Sequence, residues 1–184
     1  CRQNTAYADV GNLGMSVRTL GALVERFGLH GQQLGEVAMG AVIKHSSDWN
    51  LGREAALSSG LSPLTPGITL QRACGTSLDS IITIGNKIAL GQIDSGIGGG
   101  SDTTSEVPIV YGKKLRARLL AANRAKTTGD KFKALTSGFK FNELKPEFPG
   151  VAEPRTGKST GAHCAARAKP WNTPRDPQAA PAAA

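Results

Sequence analysis

Cys74 stands where the chain passes from an apolar stretch into a helical pattern, in the run Ile68-Thr69-Leu70-Gln71-Arg72-Ala73-Cys74-Gly75-Thr76-Ser77-Leu78-Asp79. A thiol in that position suits nucleophilic chemistry. The stretch ahead of it reads as a short buried strand, and Leu78, Ile81, Ile82, Ile88 and Ala89 behind it repeat at helical spacing up to Gly91. A helix N-terminus offers unpaired backbone N–H groups and the positive end of the helix dipole. Both favour the thiolate, so that sulfur is the attacking species at neutral pH. Gly75 beside it lets the backbone come close to a substrate. The competing reading is a buried, inert cysteine, since free cysteines are among the most buried residues.

Other constellations carry less chemistry. Gly157-Lys158-Ser159 has the ending of a phosphate-binding loop, but that pattern needs a glycine where Ala152 stands, Pro154 stiffens the backbone that would wrap a phosphate, and no apolar strand leads into it. His163 and Cys164 are adjacent, yet there is no C-x-x-C or H-x-x-x-H spacing, so no metal site is expected. A Cys–His pairing of His163 with Cys74 is weakly supported. His30 and His45 have no carboxylate or thiol at a telling spacing and read as loop or surface histidines. Gly98-Gly99-Gly100 does not meet G-x-G-x-x-G and reads as tight-turn geometry.

The elements that must hold Cys74 alternate. Val17, Leu20, Leu23, Val24 and Phe27 fall on one helical face that ends at Gly28, and 37–43 is a continuous apolar run of strand length. A second helix is expected over about 50–59, with Asn50 as its N-cap and Gly60 as its stop. After the Pro63 and Pro66 turn come the strand into Cys74, its helix, and a strand near 93–97. Strands without polar alternation are buried on both faces, so the expectation is an α/β domain with helices on each side of the sheet.

Beyond Gly100 the texture changes to a lysine-rich helical piece at about 113–124 and then to loops punctuated by proline and glycine. The expected division is therefore a domain over 1–100 and a basic lobe over 101–184. Charge follows the same line: 1–100 holds seven Lys/Arg and seven Asp/Glu, whereas 101–184 holds fifteen bases against seven acids, the whole of the +8. A basic lobe attracts an anionic ligand such as coenzyme A phosphates, nucleic acid or a membrane surface. The 184 residues suffice for one core with an appended lobe, and no apolar run is long enough to cross a membrane. Three widely separated cysteines, at 1, 74 and 164, suit a reducing compartment, with the cytoplasm expected first and a mitochondrial or peroxisomal matrix as the alternative. The Pro- and Ala-rich last residues cannot form one regular helix.

The run RACGTSLDS, with GLSPLTPG upstream and GGGSDTTS downstream, resembles the nucleophile segment of the thiolases, coenzyme A-dependent acyltransferases. VAEPRTGKSTG, KKLRARLLAANRAKT and ELKPEFP are similar to the loop domain of the degradative thiolases related to the trifunctional-enzyme β subunit. The resemblance runs from Ala6 to about Asn172. It implies an α/β fold in which two similar halves stack in layers, with a loop domain inserted in the first. This chain would be that first half, a mixed β-sheet covered by helices on both faces, lacking its first strand, plus an irregular, partly helical loop domain incomplete at its C-terminal end.

The resemblance also implies the chemistry. Cys74 would attack the keto carbon of a 3-ketoacyl-CoA or acetoacetyl-CoA, acetyl-CoA would leave as its enolate, and coenzyme A would then take the acyl group from sulfur. Ser159, Thr160 and Gly161 would contact coenzyme A, although Thr160 stands where the related pattern has a methionine. No cofactor would be permanently bound, coenzyme A being a substrate, and the partners would be acyl-CoA, coenzyme A and further copies in a homodimer or homotetramer. The activating histidine, the second cysteine and the asparagine-held water belong to the family's second half. The chain is therefore expected to be a fragment, inactive by itself. The alternative of another class is a non-catalytic basic module for nucleic acid with a structural cysteine, against which stand few aromatics and no nucleic-acid motif.

Overall fold

The computed structural model describes residues 5–147, 150, 152–172 and 174, so Cys1 and the tail past Pro174 lie outside the described residues. The chain divides into two compact units between Val110 and Tyr111. That division falls beyond Gly100, and its physical cause is local. Ser101 donates from its backbone N–H to the Gly40 carbonyl, and Asp102 accepts from the backbone of Val42 and Ile43, which keeps the segment after the glycines on the first unit.

In the first unit three strands, β1 (Glu36–Gly40), β2 (Gly67–Leu70) and β3 (Gly96–Gly100), form a sheet in the order β2-β1-β3. Both described pairings are parallel, with Met39 opposite Thr69 on one side and Gly99 on the other. Parallel strands need crossover connections, and helices supply them. These are α1 (Asn12–Arg26), α2 (Leu51–Ser58) and α3 (Thr76–Ala89). β1 is buried along its whole length, as the unbroken apolar run requires.

The two faces of the sheet differ in kind. On one, Val37 and Met39 pack with Leu20 and Val24 of α1 and Ala55 and Ala56 of α2 to make the core. Asn50 caps α2 by accepting from the backbone N–H of Arg53, accepts a second bond from the Thr69 hydroxyl and donates to the Gly67 carbonyl, while Gly60 follows with φ +90°. The predicted cap and stop are both present.

The other face carries α3, and here two expectations are corrected. Gly98-Gly99-Gly100 is strand, not a turn. A Cβ on Gly98 would lie 2.7 Å from the Ile81 backbone, one on Gly96 2.9 Å from the Ile84 side chain, and one on Gly100 2.6 Å from the Gly40 carbonyl. The glycines let α3 lie almost on the sheet. For the same reason the buried stripe of α3 is Thr76, Ser80 and Ile84, whereas Leu78, Ile81, Ile82 and Ile88 are exposed. The apolar spacing read from the sequence marks the outward side of this helix.

In the second unit α4 (Lys113–Arg124) buries Leu115 and Ala122. Arg118 at its middle ion-pairs with Glu143 at 2.8 Å, donates to the carbonyls of Ser137 and Gly138, and lies over the Phe139 ring. α5 (Thr128–Thr136) is capped by Thr127 and α6 (Thr160–Ala168) by Ser159.

Candidate active site

Cys74 lies two residues before the first turn of α3, with Gly75 at the N-cap, and is exposed. The chain reaches it through a tight bend. Ala73 has φ +41°, a left-handed conformation that costs a residue with a Cβ about 1–2 kcal/mol. The bend is closed by Gly75 N–H to the Arg72 carbonyl at 3.0 Å and Thr76 N–H to the Ala73 carbonyl at 3.3 Å. The Thr76 hydroxyl adds two more bonds, accepting from the Arg72 N–H and donating to the Ala73 carbonyl, both at 2.7 Å. Arg72 is then tied to the first turn of α3 by its ion pair with Asp79 at 3.1 Å. A strained strand-to-helix turn of this kind lifts a nucleophile clear of the backbone.

In front of Cys74 is a cleft of about 90 Å³, bounded by Gly40, Thr76, Ser77, Gly100, Ser101 and Asp102. It sits at the carboxyl ends of β1 and β3, where ligands bind in parallel α/β sheets. α3 starts at the same end of the sheet, and a helix N-terminus favours negative charge in front of it. The rim is fixed from two sides. The Asp102 carboxylate accepts from Val42 N–H at 2.9 Å and Ile43 N–H at 2.8 Å. The Ser101 hydroxyl donates to the Asn12 carbonyl at 3.0 Å and meets the buried Ser16 hydroxyl at 2.8 Å. Sequence reasoning gave none of Thr76, Ser101 and Asp102 a place at the Cys74 site. The available signal was polar residues placed directly after a strand's last glycine or at a helix's first position.

Ser159, Thr160 and Gly161 belong to the second unit. All three are exposed at the start of α6, where the Ser159 hydroxyl accepts from the Ala162 N–H at 3.2 Å. Ahead of them 153–158 folds back on itself, with Gly157 N–H on the Glu153 carbonyl at 2.8 Å and Glu153 N–H on the Lys158 carbonyl at 3.0 Å. The Glu153 carboxyl is held below the usual carboxylate range, chiefly by hydrogen bonding from the Thr156 side chain and then from the Arg155 backbone. His163 pairs with the Thr156 hydroxyl at 2.8 Å, and Cys164 next to it is exposed. Elsewhere in this unit Lys113, Lys114, Lys140 and Lys145 line a cavity of about 370 Å³ with Glu143 and Glu147. Among the described residues no group of three or more His, Cys, Asp or Glu could hold a metal ion, and no helix is long and apolar enough to cross a membrane.

Comparison with known proteins gives one consistent answer. The family described as "Thiolase, N-terminal domain" matches residues 1–184. A 3-ketoacyl-CoA thiolase of Vibrio cholerae serotype O1 is 35% identical over 177 residues, which is 96% of this chain and 40% of the relative. Another, of Photorhabdus laumondii, is 34% identical over the same extent. The crystal structure of the Bacillus anthracis acetyl-CoA acetyltransferase aligns with a TM-score of 0.69 at 20% identity, over 94% of this chain and 39% of that one, a likeness of fold. The chain thus spans 40% of the length of the curated relatives it matches.

Proposed function

The chain belongs to the thiolase family through its N-terminal domain, and from that premise we propose that Cys74 is the nucleophile of acyl transfer between a 3-ketoacyl-CoA, or acetoacetyl-CoA, and coenzyme A. One observation carries the reading: an exposed thiol on a strained turn, at the N-terminus of α3, over a cleft at the carboxyl ends of β1 and β3. In the first half-reaction the sulfur bonds to the keto carbon and the bond to the α-carbon breaks, releasing the enolate of acetyl-CoA, which takes up a proton. In the second, the coenzyme A thiol gives up its proton, attacks the thioester and frees Cys74. The carbonyl oxygen becomes an oxyanion in both, and the positive end of the α3 dipole is what this chain offers to stabilise it.

Coenzyme A is thus a substrate, not a resident cofactor, and its phosphates are the anions that suit the basic second unit. Ser159, Thr160 and Gly161, at a helix start with free N–H groups, are the residues proposed to meet it. The outward apolar side of α3, with Leu78, Ile81 and Ile82 exposed, supports a second stacked half in the full protein. Assembly as a homodimer or homotetramer and residence in the cytoplasm complete the proposal.

The test is made on the intact protein. Cys74→Ala abolishes cleavage of acetoacetyl-CoA in the presence of coenzyme A and leaves coenzyme A binding in place. Limiting iodoacetamide labels Cys74 ahead of Cys164. Turnover that survives the substitution, or a Cys74 that reacts only after denaturation, overturns the reading.

A further inference from the structure

We propose that Thr76 is a positioning residue for Cys74, its hydroxyl holding the strained turn that presents the thiol; this rests on the reading of Cys74 as nucleophile. Three observations converge on that hydroxyl. Ala73, immediately before the cysteine, is left-handed at φ +41° and is one of three such non-glycine residues among those described. A bend of that kind persists only where its surroundings over-determine it. The Thr76 hydroxyl uses its donor on the Ala73 carbonyl and accepts from the Arg72 N–H, both at 2.7 Å, so it grips the backbone on both sides of the strained link. Thr76 is itself buried, at 3% exposure, although it lies next to an exposed thiol.

The methyl group of Thr76 has a separate task. A Cβ on Gly40 would lie 2.0 Å from Thr76 Cγ2, so β1 carries a glycine where the methyl rests. With the methyl seated against β1, the hydroxyl has one direction left, toward the turn. The two halves of the side chain are therefore separable by substitution. Valine keeps the shape and loses both hydrogen bonds, and serine keeps the hydroxyl and loses the packing.

The experiment compares Thr76→Val, Thr76→Ser and Thr76→Ala in the intact protein. The first readout is the rate of iodoacetamide labelling at Cys74 relative to Cys164, which lies on α6 and serves as internal reference. The second is the division of any loss between kcat and KM in acetoacetyl-CoA cleavage. Thr76→Val lowers the labelling ratio and kcat about tenfold or more, the scale of a misplaced reacting group, with KM little changed. Thr76→Ser stays close to the parent in both while melting at a lower temperature. Thr76→Ala, without hydroxyl or methyl, repeats the reactivity loss and decides the matter if the valine variant does not fold. The proposal is overturned if Thr76→Val and Thr76→Ala label at the parental ratio, or if Thr76→Ser loses as much as they do. Turnover that survives Cys74→Ala overturns acyl transfer alone, and the labelling ratio still decides the role of Thr76.

Discussion

At the scale of single residues, the two carboxylates that matter are both used to hold backbone. Asp102 gathers the N–H groups of Val42 and Ile43, so the loop after β1 is fastened to the loop after β3 across the mouth of the Cys74 cleft. Removing the carboxylate leaves two N–H groups without their partner in a partly exposed place. Asp102→Ala should therefore cost about 1–2 kcal/mol of stability and speed amide hydrogen exchange at Val42 and Ile43, with Arg53 in α2 unaffected. Unchanged exchange at both amides would mean the carboxylate does not fix the rim. Glu153 makes a different prediction, about pH. Its folded-state affinity for a proton is lowered, first by the Thr156 side chain, so the ionised form favours the folded turn. That contribution is present above the ordinary carboxylate value of 4.5 and is lost as pH falls through the lower folded value. Carboxyl NMR should find Glu153 titrating below the same residue in a peptide of 150–160, and Thr156→Ala should move it back up. Coincident titrations would remove the hydrogen bond as its cause.

At the scale of elements, glycine separates packing from propensity within the same helix–strand pair. Gly85 lies inside α3 with nothing of this chain within 4 Å of a built Cβ, so in the 184-residue chain by itself Gly85→Ala should stabilise by about 0.5–1 kcal/mol through helix propensity. Gly98 lies beneath the same helix, where a Cβ meets Ile81 and Ser80 backbone that cannot yield. Gly98→Ala should therefore destabilise by about 1–3 kcal/mol, the range for forced overpacking. Thermal melts of the two variants check both signs, and a neutral Gly98→Ala would show that α3 does not approach the sheet as closely as described. The same pair explains how far the sequence could be read. Asn50, Gly60 and Gly91 act through their own neighbours, and the α2 and α3 boundaries they mark were legible. The buried face of α3 was not. Its periodicity is carried by isoleucines and Leu78 that face outward, while the inward stripe is threonine, serine and one isoleucine because β3 offers glycines and no room. Cys74 was legible as a thiol at a helix start. Its left-handed neighbour and the Thr76 clamp were not, since a positive φ at alanine leaves no mark in composition or spacing.

At the scale of the whole molecule the charge is confined to one unit. From Tyr111 onward the sequence carries fifteen bases and five acids, whereas the unit with Cys74 is close to neutral. Arg118 is consumed internally by Glu143 and two carbonyls, which leaves the lysines and the other arginines as the source of the field. A field of that sign concentrates any polyanion, so charge by itself does not choose between coenzyme A and nucleic acid. Salt does. A duplex held through several phosphates releases condensed counterions, and its log affinity falls with log salt by about 0.9 per phosphate neutralised. Coenzyme A carries few phosphate charges and an uncharged pantetheine arm whose contacts salt does not screen, so its affinity should decline gently over the same range. Titrating the intact protein with coenzyme A and with a short duplex at two salt concentrations separates the cases. The acyl-transfer reading expects coenzyme A to bind at both and to protect Cys74 from alkylation. A duplex that binds tightly with a steep salt slope, beside a coenzyme A that neither binds nor protects, would make the basic unit a nucleic-acid surface. Family membership would then describe the fold of Cys74 and not its use.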